Sequence, residues 1–143
     1  MKKLIYTLIF CFLFNSIYAQ EVIIIDTSES VLDKQALVIL NGFGDSKKNR
    51  KIQQKFFQEK GYDLFIPQYV ERNSIDLTVS TFSSFYDKNN LDEYKEVKFL
   101  CYIIGGYVLN QHIEKNGKGK ITTIIYDRSP TQERAPRVAT EKL

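Results

Sequence analysis

The chain has 143 residues, of which 43% are hydrophobic, and a formal net charge of +3 at pH 7. This length suits one domain with its own core, and 20 basic against 17 acidic side chains give no argument for a nucleic-acid partner. A single histidine gives no Cys/His cluster, and of the two cysteines Cys11 belongs to the N-terminal apolar run, which leaves Cys101 alone; we therefore predict no metal, no cofactor and no internal disulfide framework.

The first stretch, MKKLIYTLIFCFLFNSIYAQ, has the order of a secretory signal peptide. Two lysines precede an apolar run over residues 4–14, which a polar break and Ala19 follow. The run is shorter than the roughly 20 residues that span a bilayer. We therefore predict a signal peptide over residues 1–19 and one exported domain over residues 20–143, periplasmic or extracellular and not integral to a membrane after cleavage. An uncleaved N-terminal anchor is the alternative.

The next segments predict two strands and a helix. EVIII (residues 21–25) is short and β-branched, which indicates an edge strand, and ALVIL (residues 36–40) is continuously apolar, as in a strand buried on both faces. A helix is predicted over residues 47–61, ended by Gly61. Asp45 or Ser46 is its expected cap. Its residues at helical spacing are Ile52, Phe56, Phe57 and Lys60.

The second half continues the alternation. YDLFIPQY (residues 62–69) predicts a strand ended by its proline, residues 71–90 are polar and loosely helical, and VKFLCYII (residues 97–104) predicts a third buried strand. After two glycines, residues 107–117 predict a helix, and ITTIIYD (residues 121–127) a fourth main strand.

This order predicts the α/β class: a mostly parallel sheet with helices on both faces. In such sheets, ligands bind beyond the carboxyl ends of the strands. Four loops lie there: NGFGDS (41–46), the segment after Pro67, IIGGY (103–107) and DRSPTQERAP (127–136).

Three of these stretches together resemble the α/β-hydrolases. VILNGFGDS resembles the strand and loop that contain the motif His-Gly-aromatic-Gly, GYDLFIPQY the next strand, and VKFLCYIIGGYVLN the nucleophile elbow. The resemblance covers about residues 36–127, the N-terminal half of that fold. It implies an incomplete α/β-hydrolase-like domain, shortened after residue 127.

The resemblance also implies where a catalytic site would lie. The family pattern is G-x-S-x-G on a sharp strand-to-helix turn. With the final glycines on Gly105 and Gly106, the nucleophile position falls on Ile103, which has no lone pair to attack an acyl carbon. The backbone N–H groups of Ile104 and of Phe43 or Gly44 match the family's oxyanion-hole donors. The protein then resembles serine esterases and lipases without the serine: a non-catalytic protein, or a shortened copy, that binds a small acyl or anionic ligand.

Three further side chains are candidates for a chemical role. Asn41 stands where the family often has histidine, and His112 is predicted to be a solvated residue of a helix. Cys101 is either a displaced nucleophile or a core residue, and its apolar strand favours the core. An active hydrolase with an unconventional catalytic group therefore stays an alternative.

Arginines follow the last predicted strand. Arg128 and Arg134 are candidate contacts for an anionic group. They equally fit a solvated tail paired with Asp127 and Glu133. An accessory module that binds an anionic partner is the third reading.

Overall fold

The computed structural model describes residues 21–129, and strands alternate with helices along them in the predicted order. Residues 1–20 and 130–143, with the predicted signal peptide and Arg134, lie outside the described residues. The strands are β1 (Val22–Ile24), β2 (Gln35–Leu40), β3 (Asp63–Ile66), β4 (Glu96–Tyr102) and β5 (Ile121–Asp127). The helices are α1 (Lys47–Gln58), α2 (Ile75–Lys88) and α3 (Ile104–Asn116), with single 3-10 turns at Val31–Asp33 and Leu91–Glu93.

The five strands form one sheet in the order β1-β3-β2-β4-β5. Strands β2 to β5 pair in parallel, from Gln35 beside Glu96 to Leu40 beside Cys101 in the central pair. The prediction of a mostly parallel sheet is confirmed, as is the edge position of β1. That β1 runs antiparallel to β3 was not predicted, because a three-residue strand does not reveal how the chain returns to the sheet.

Alternate side chains of the central strands enter two cores, one on each side of the sheet. Val38 and Phe65 lie in the larger core, under α2 and α3. Ile39 and Leu64 lie in a smaller core, which Phe57 of α1 covers. Helices therefore lie on both faces, as predicted from the continuous apolar runs.

Helix α1 buries fewer of its apolar residues than its spacing predicted. Ser46 is the N-cap, since its Oγ accepts a hydrogen bond from the Asn49 amide at 3.2 Å. Phe57 faces the sheet, but Ile52 and Phe56 are 58% and 61% exposed. The buried residue of this helix is Arg50, in its first turn, which contacts the end of β3.

Helix α2 is more regular than the loosely helical pattern suggested. It runs for 14 residues from an N-cap at Ser74, whose Oγ accepts a hydrogen bond from the Leu77 amide at 3.1 Å. Phe82 is fully buried and meets the rings of Tyr69 and Phe99 edge to face. Tertiary packing of these aromatic side chains thus stabilises a helix that the polar sequence favours only weakly.

His112 was predicted to be solvated, and that prediction is wrong. The residue is 2% exposed, with its Nδ1 2.9 Å from Ser83 Oγ of α2. Its ring centroid lies 5.2 Å from that of Phe82 and 4.6 Å from that of Tyr86. The sequence placed His112 on α3 correctly but could not show that α2 covers this side of α3.

Candidate functional site: the strand-to-helix corner at Ile103

The corner between β4 and α3 has the backbone of a sharp elbow. The predicted strand extended to Ile104, but β4 ends at Tyr102 and α3 already begins at Ile104. Ile103 joins them with φ 51° and ψ −114°. For a β-branched residue this is a true outlier that costs on the order of 1–3 kcal/mol. The position that the sequence assigned to a nucleophile is therefore the strained residue of the turn.

Glycines allow neighbouring segments to approach this corner. A Cβ on Gly105 would lie 2.5 Å from the carbonyl oxygen of Leu40, and one on Gly106 2.6 Å from Ser129 Cβ. A Cβ on Gly42 would lie 2.7 Å from Ile103 Cβ. These contacts bring the loop after β2 directly against the elbow.

A cleft of about 300 Å³, here named the elbow cleft, opens beside Ile103. It brings together four predicted site residues: Phe43, Gly44, Ile103 and Arg128. Ile103 is 41% exposed, whereas Ile104 is 1% exposed and its side chain belongs to the core. As the first residue of α3, Ile104 has no i−4 carbonyl partner within the helix for its N–H.

The loop after β2 is fixed by Asn41. Its side-chain amide exchanges two hydrogen bonds with Gln53 of α1, at 2.9 and 2.8 Å. The backbone carbonyl oxygen of Asn41 accepts a hydrogen bond from Tyr69 Oη at 2.6 Å. The residue in the family's histidine position is therefore 6% exposed and fully engaged in holding the loop.

A second cleft of about 400 Å³, the loop cleft, lies on the other side of the same loop. Its wall includes the buried Arg50 and the largely buried Asp45, which form an ion pair through Arg50 Nε and Asp45 Oδ2. The Arg50 guanidinium also donates to the carbonyl oxygens of Ile66 and Pro67, at 2.8 and 2.9 Å. Sequence reasoning missed this arginine, and its only signal was an acidic residue five positions earlier.

Arg128 follows β5 and is 79% exposed on its side chain. Its Nε and Nη2 lie 3.1 and 3.3 Å from the carboxylate oxygens of Asp127. Hydrogen bonding to Asp127 raises the pKa of the Arg128 guanidinium. Arg128 therefore fits both interpretations of the sequence: it lines the cleft, as a contact for an anion would, and it also pairs with its acidic neighbour Asp127.

Two further reactive groups, Cys101 and His112, do not line the elbow cleft. Cys101 is fully buried, as predicted for a core residue, and burial raises the pKa of its thiol to about 12. His112 lies eight residues after Ile104 on α3, or about 12 Å along the helix axis. Within residues 21–129, no three His, Cys, Asp or Glu side chains are grouped so as to hold a metal ion.

Solved structures match the fold of this chain, although no family model and no curated protein matches its sequence. An α/β hydrolase from sediments of the lagoon of Mar Chica superposes with a TM-score of 0.57 at 18% identity, over 82% of this chain and 52% of its own. A bromoperoxidase from Bacillus anthracis gives 0.54 at 18%, over 68% and 37%. An esterase from Exiguobacterium antarcticum gives 0.54 at 13%, over 78% and 41%.

The chain has an α/β-hydrolase-like fold. It spans about half or less of the length of the structures that it matches. The resemblance inferred from three sequence stretches is thereby confirmed at the level of the fold. Identities of 18% or lower do not extend it to an activity.

Proposed function

We propose that this protein is an exported, non-catalytic α/β-hydrolase-like protein that binds a small acyl or anionic ligand in the elbow cleft. The observation that supports the proposal is Ile103, which occupies the strained corner with a hydrocarbon side chain. A carbon side chain can neither form an acyl-enzyme nor activate water. The strained backbone of a nucleophile elbow is therefore present at Ile103, but its side chain is not a nucleophile.

The neighbouring groups favour binding over catalysis. Cys101, the nearest thiol, is buried and its pKa is raised, so its reactive thiolate is depleted. His112 is enclosed between α2 and α3 and faces Ser83. Neither group lines the elbow cleft.

The proposed ligand class follows from the donors around the cleft. Ile104 does not line the cleft, but it follows Ile103, which does, and its N–H opens α3, where the helix dipole favours negative charge. Arg128 adds a cation at the rim, and Phe43 an apolar wall. A carboxylate with a short acyl chain would satisfy both kinds of surface. Export rests on the signal-peptide pattern of residues 1–19.

Activity is tested with a serine-directed fluorophosphonate probe and an activated ester, with a heat-killed sample and a competent esterase as controls. We expect neither labelling nor turnover above the heat-killed sample. Labelling or turnover that heat abolishes would contradict the proposal and favour the active-hydrolase alternative.

Binding is tested by titrating octanoate into the protein and following the chemical shifts of backbone amides. We expect shifts at Tyr102, Ile103 and Arg128, which line the elbow cleft and not the loop cleft. Arg128→Ala should weaken binding, whereas Arg72→Ala, an exposed arginine of the loop cleft, should not. Equal weakening by both substitutions, or shifts confined to the loop cleft, would reject the assignment of the elbow cleft.

A further inference from the structure

Helix α1 exposes two large apolar side chains on the side that faces away from the sheet. Ile52 and Phe56 are four residues apart and 58% and 61% exposed. The opposite side holds Arg50, Gln53 and Phe57, which contact the loop ends and the smaller core. The apolar pair is therefore not a displaced part of the core, since the inward positions are already filled.

Lysines lie along one side of this pair. Lys48, Lys51 and Lys55 are exposed and share the helical spacing of Ile52 and Phe56. The helix sequence, KKNRKIQQKFFQ, contains no acidic residue. These five residues, here named the outer face of α1, combine positive charge with exposed apolar surface, and their three lysines equal the net charge of +3 that the whole chain carries.

We propose that the outer face of α1 is a docking surface for a bilayer that contains anionic lipid. Phe and Ile flanked by lysines are the side chains with which a surface helix lies in the interface, with its apolar groups below the headgroups and its ammonium groups among the phosphates. The charge complementarity selects an anionic surface. The exposed apolar pair selects a lipid one, since a nucleic-acid backbone offers Ile52 and Phe56 no apolar contact.

Docking at this face would be peripheral. Among residues 21–129, none of the helices combines the length and apolar content that crossing a membrane requires. Ile52 also lines the elbow cleft together with Ile103. A bilayer on the outer face would therefore lie at the mouth of that cleft. The docking proposal itself does not depend on the proposed function.

The sequence offers a clean reporter, because it contains no tryptophan. Phe56→Trp places a single fluorophore on the outer face. Leu32→Trp is the matched control, because Leu32 is 68% exposed in the turn Val31–Asp33 before β2. Each full-length variant is mixed with vesicles of phosphatidylcholine, or of phosphatidylcholine and phosphatidylglycerol in equal parts. Both variants contain the apolar run at residues 4–14, so any binding of that run to the vesicles would affect the two reporters equally.

We expect a blue shift for Phe56→Trp with the anionic vesicles only, and none for Leu32→Trp. Adding Lys48→Gln, Lys51→Gln and Lys55→Gln should weaken the partition coefficient about five-fold per lysine, or about a hundred-fold together. The same three-charge change at Lys115, Lys118 and Lys120, exposed near the end of α3, should leave it within a few-fold.

Several results would overturn the proposal. An unshifted Phe56→Trp, or equal shifts of both reporters, excludes docking by this face. Equal shifts on neutral and anionic vesicles exclude the lysines as determinants. A blue shift that grows with protein concentration in the absence of vesicles would instead assign the outer face to a second copy of the chain.

Discussion

At the scale of single residues, Ile103 combines an unfavourable backbone with a chemically inert side chain. Its φ of 51° is the geometry that turns β4 sharply into α3. A Cβ in that conformation is strained, so an isoleucine there lowers the stability of the fold while contributing no reactive group. The elbow backbone is therefore present at a residue whose side chain carries no nucleophilic group.

The strain predicts an inverted preference between glycine and alanine. At Ile103, glycine should give a higher free energy of unfolding than alanine by about 1 kcal/mol, because only glycine adopts positive φ without penalty. At Ile52, inside α1, alanine should exceed glycine by about 1 kcal/mol. Urea unfolding of the four variants measures both differences. The same order at both sites would show that the Ile103 backbone is unstrained.

His112 predicts a pH dependence of stability. Burial lowers the pKa of His112, with Asp87 and Asp92 opposing the shift. The unfolded state therefore binds a proton near pH 6.5 that the folded state does not take up until lower pH. This contribution to stability is complete above pH 6.5 and is lost as the pH falls below it. Urea unfolding between pH 7.5 and 5.5 should show the decline, and His112→Gln should flatten it. An unchanged slope in the variant would assign the decline to other groups.

At the scale of elements, Arg50 joins three segments. It lies in the first turns of α1, pairs with Asp45 in the loop after β2, and donates to the carbonyls at the end of β3. Both clefts share the loop that this arginine holds. One buried guanidinium thus connects the carboxyl ends of β2 and β3.

Removing this guanidinium should destabilise the fold strongly. Arg50→Ala leaves the Asp45 carboxylate buried without its partner, which typically costs about 3–5 kcal/mol. Lys51→Ala, at the exposed neighbouring position, should change the free energy of unfolding by less than about 0.5 kcal/mol. Thermal and urea unfolding compare the two. A loss of under about 1 kcal/mol for Arg50→Ala would mean that the pair is not buried in solution.

At the scale of the whole molecule, β5 is an edge strand with no strand on its outer side among the described residues. Its sequence has no proline or lysine, and Ile125 and Tyr126 are 56% and 41% exposed. Exposed edge strands favour pairing with other chains. The opposite edge, β1, is only three residues long.

We predict association through β5 as the protein concentration rises. Ile125→Lys should suppress it, because a lysine on an edge strand opposes pairing. Ile23→Lys, on the short edge strand β1 and 41% exposed in the parent, should leave it unchanged. Sedimentation velocity over a concentration series measures the effect. Equal suppression by both variants would place the contact elsewhere.

The sequence by itself determined the order of the elements, the sheet class and the position of the elbow. These follow from local patterns: continuous apolar runs for buried strands, helical spacing between them, and glycines where segments touch. The sequence also predicted that Ile103 occupies the nucleophile position, because this assignment depends only on aligning the family pattern to Gly105 and Gly106.

Only the tertiary structure decided which helix sides are covered. His112 is buried because α2 covers it, and Arg50 is buried because it contacts the end of β3. Ile52 and Phe56 are exposed because other residues of α1 fill its inward positions. Each of these is a contact between segments far apart in the chain. Local periodicity says that a helix has an apolar side, whereas long-range packing alone determines whether that side meets the core or the solvent.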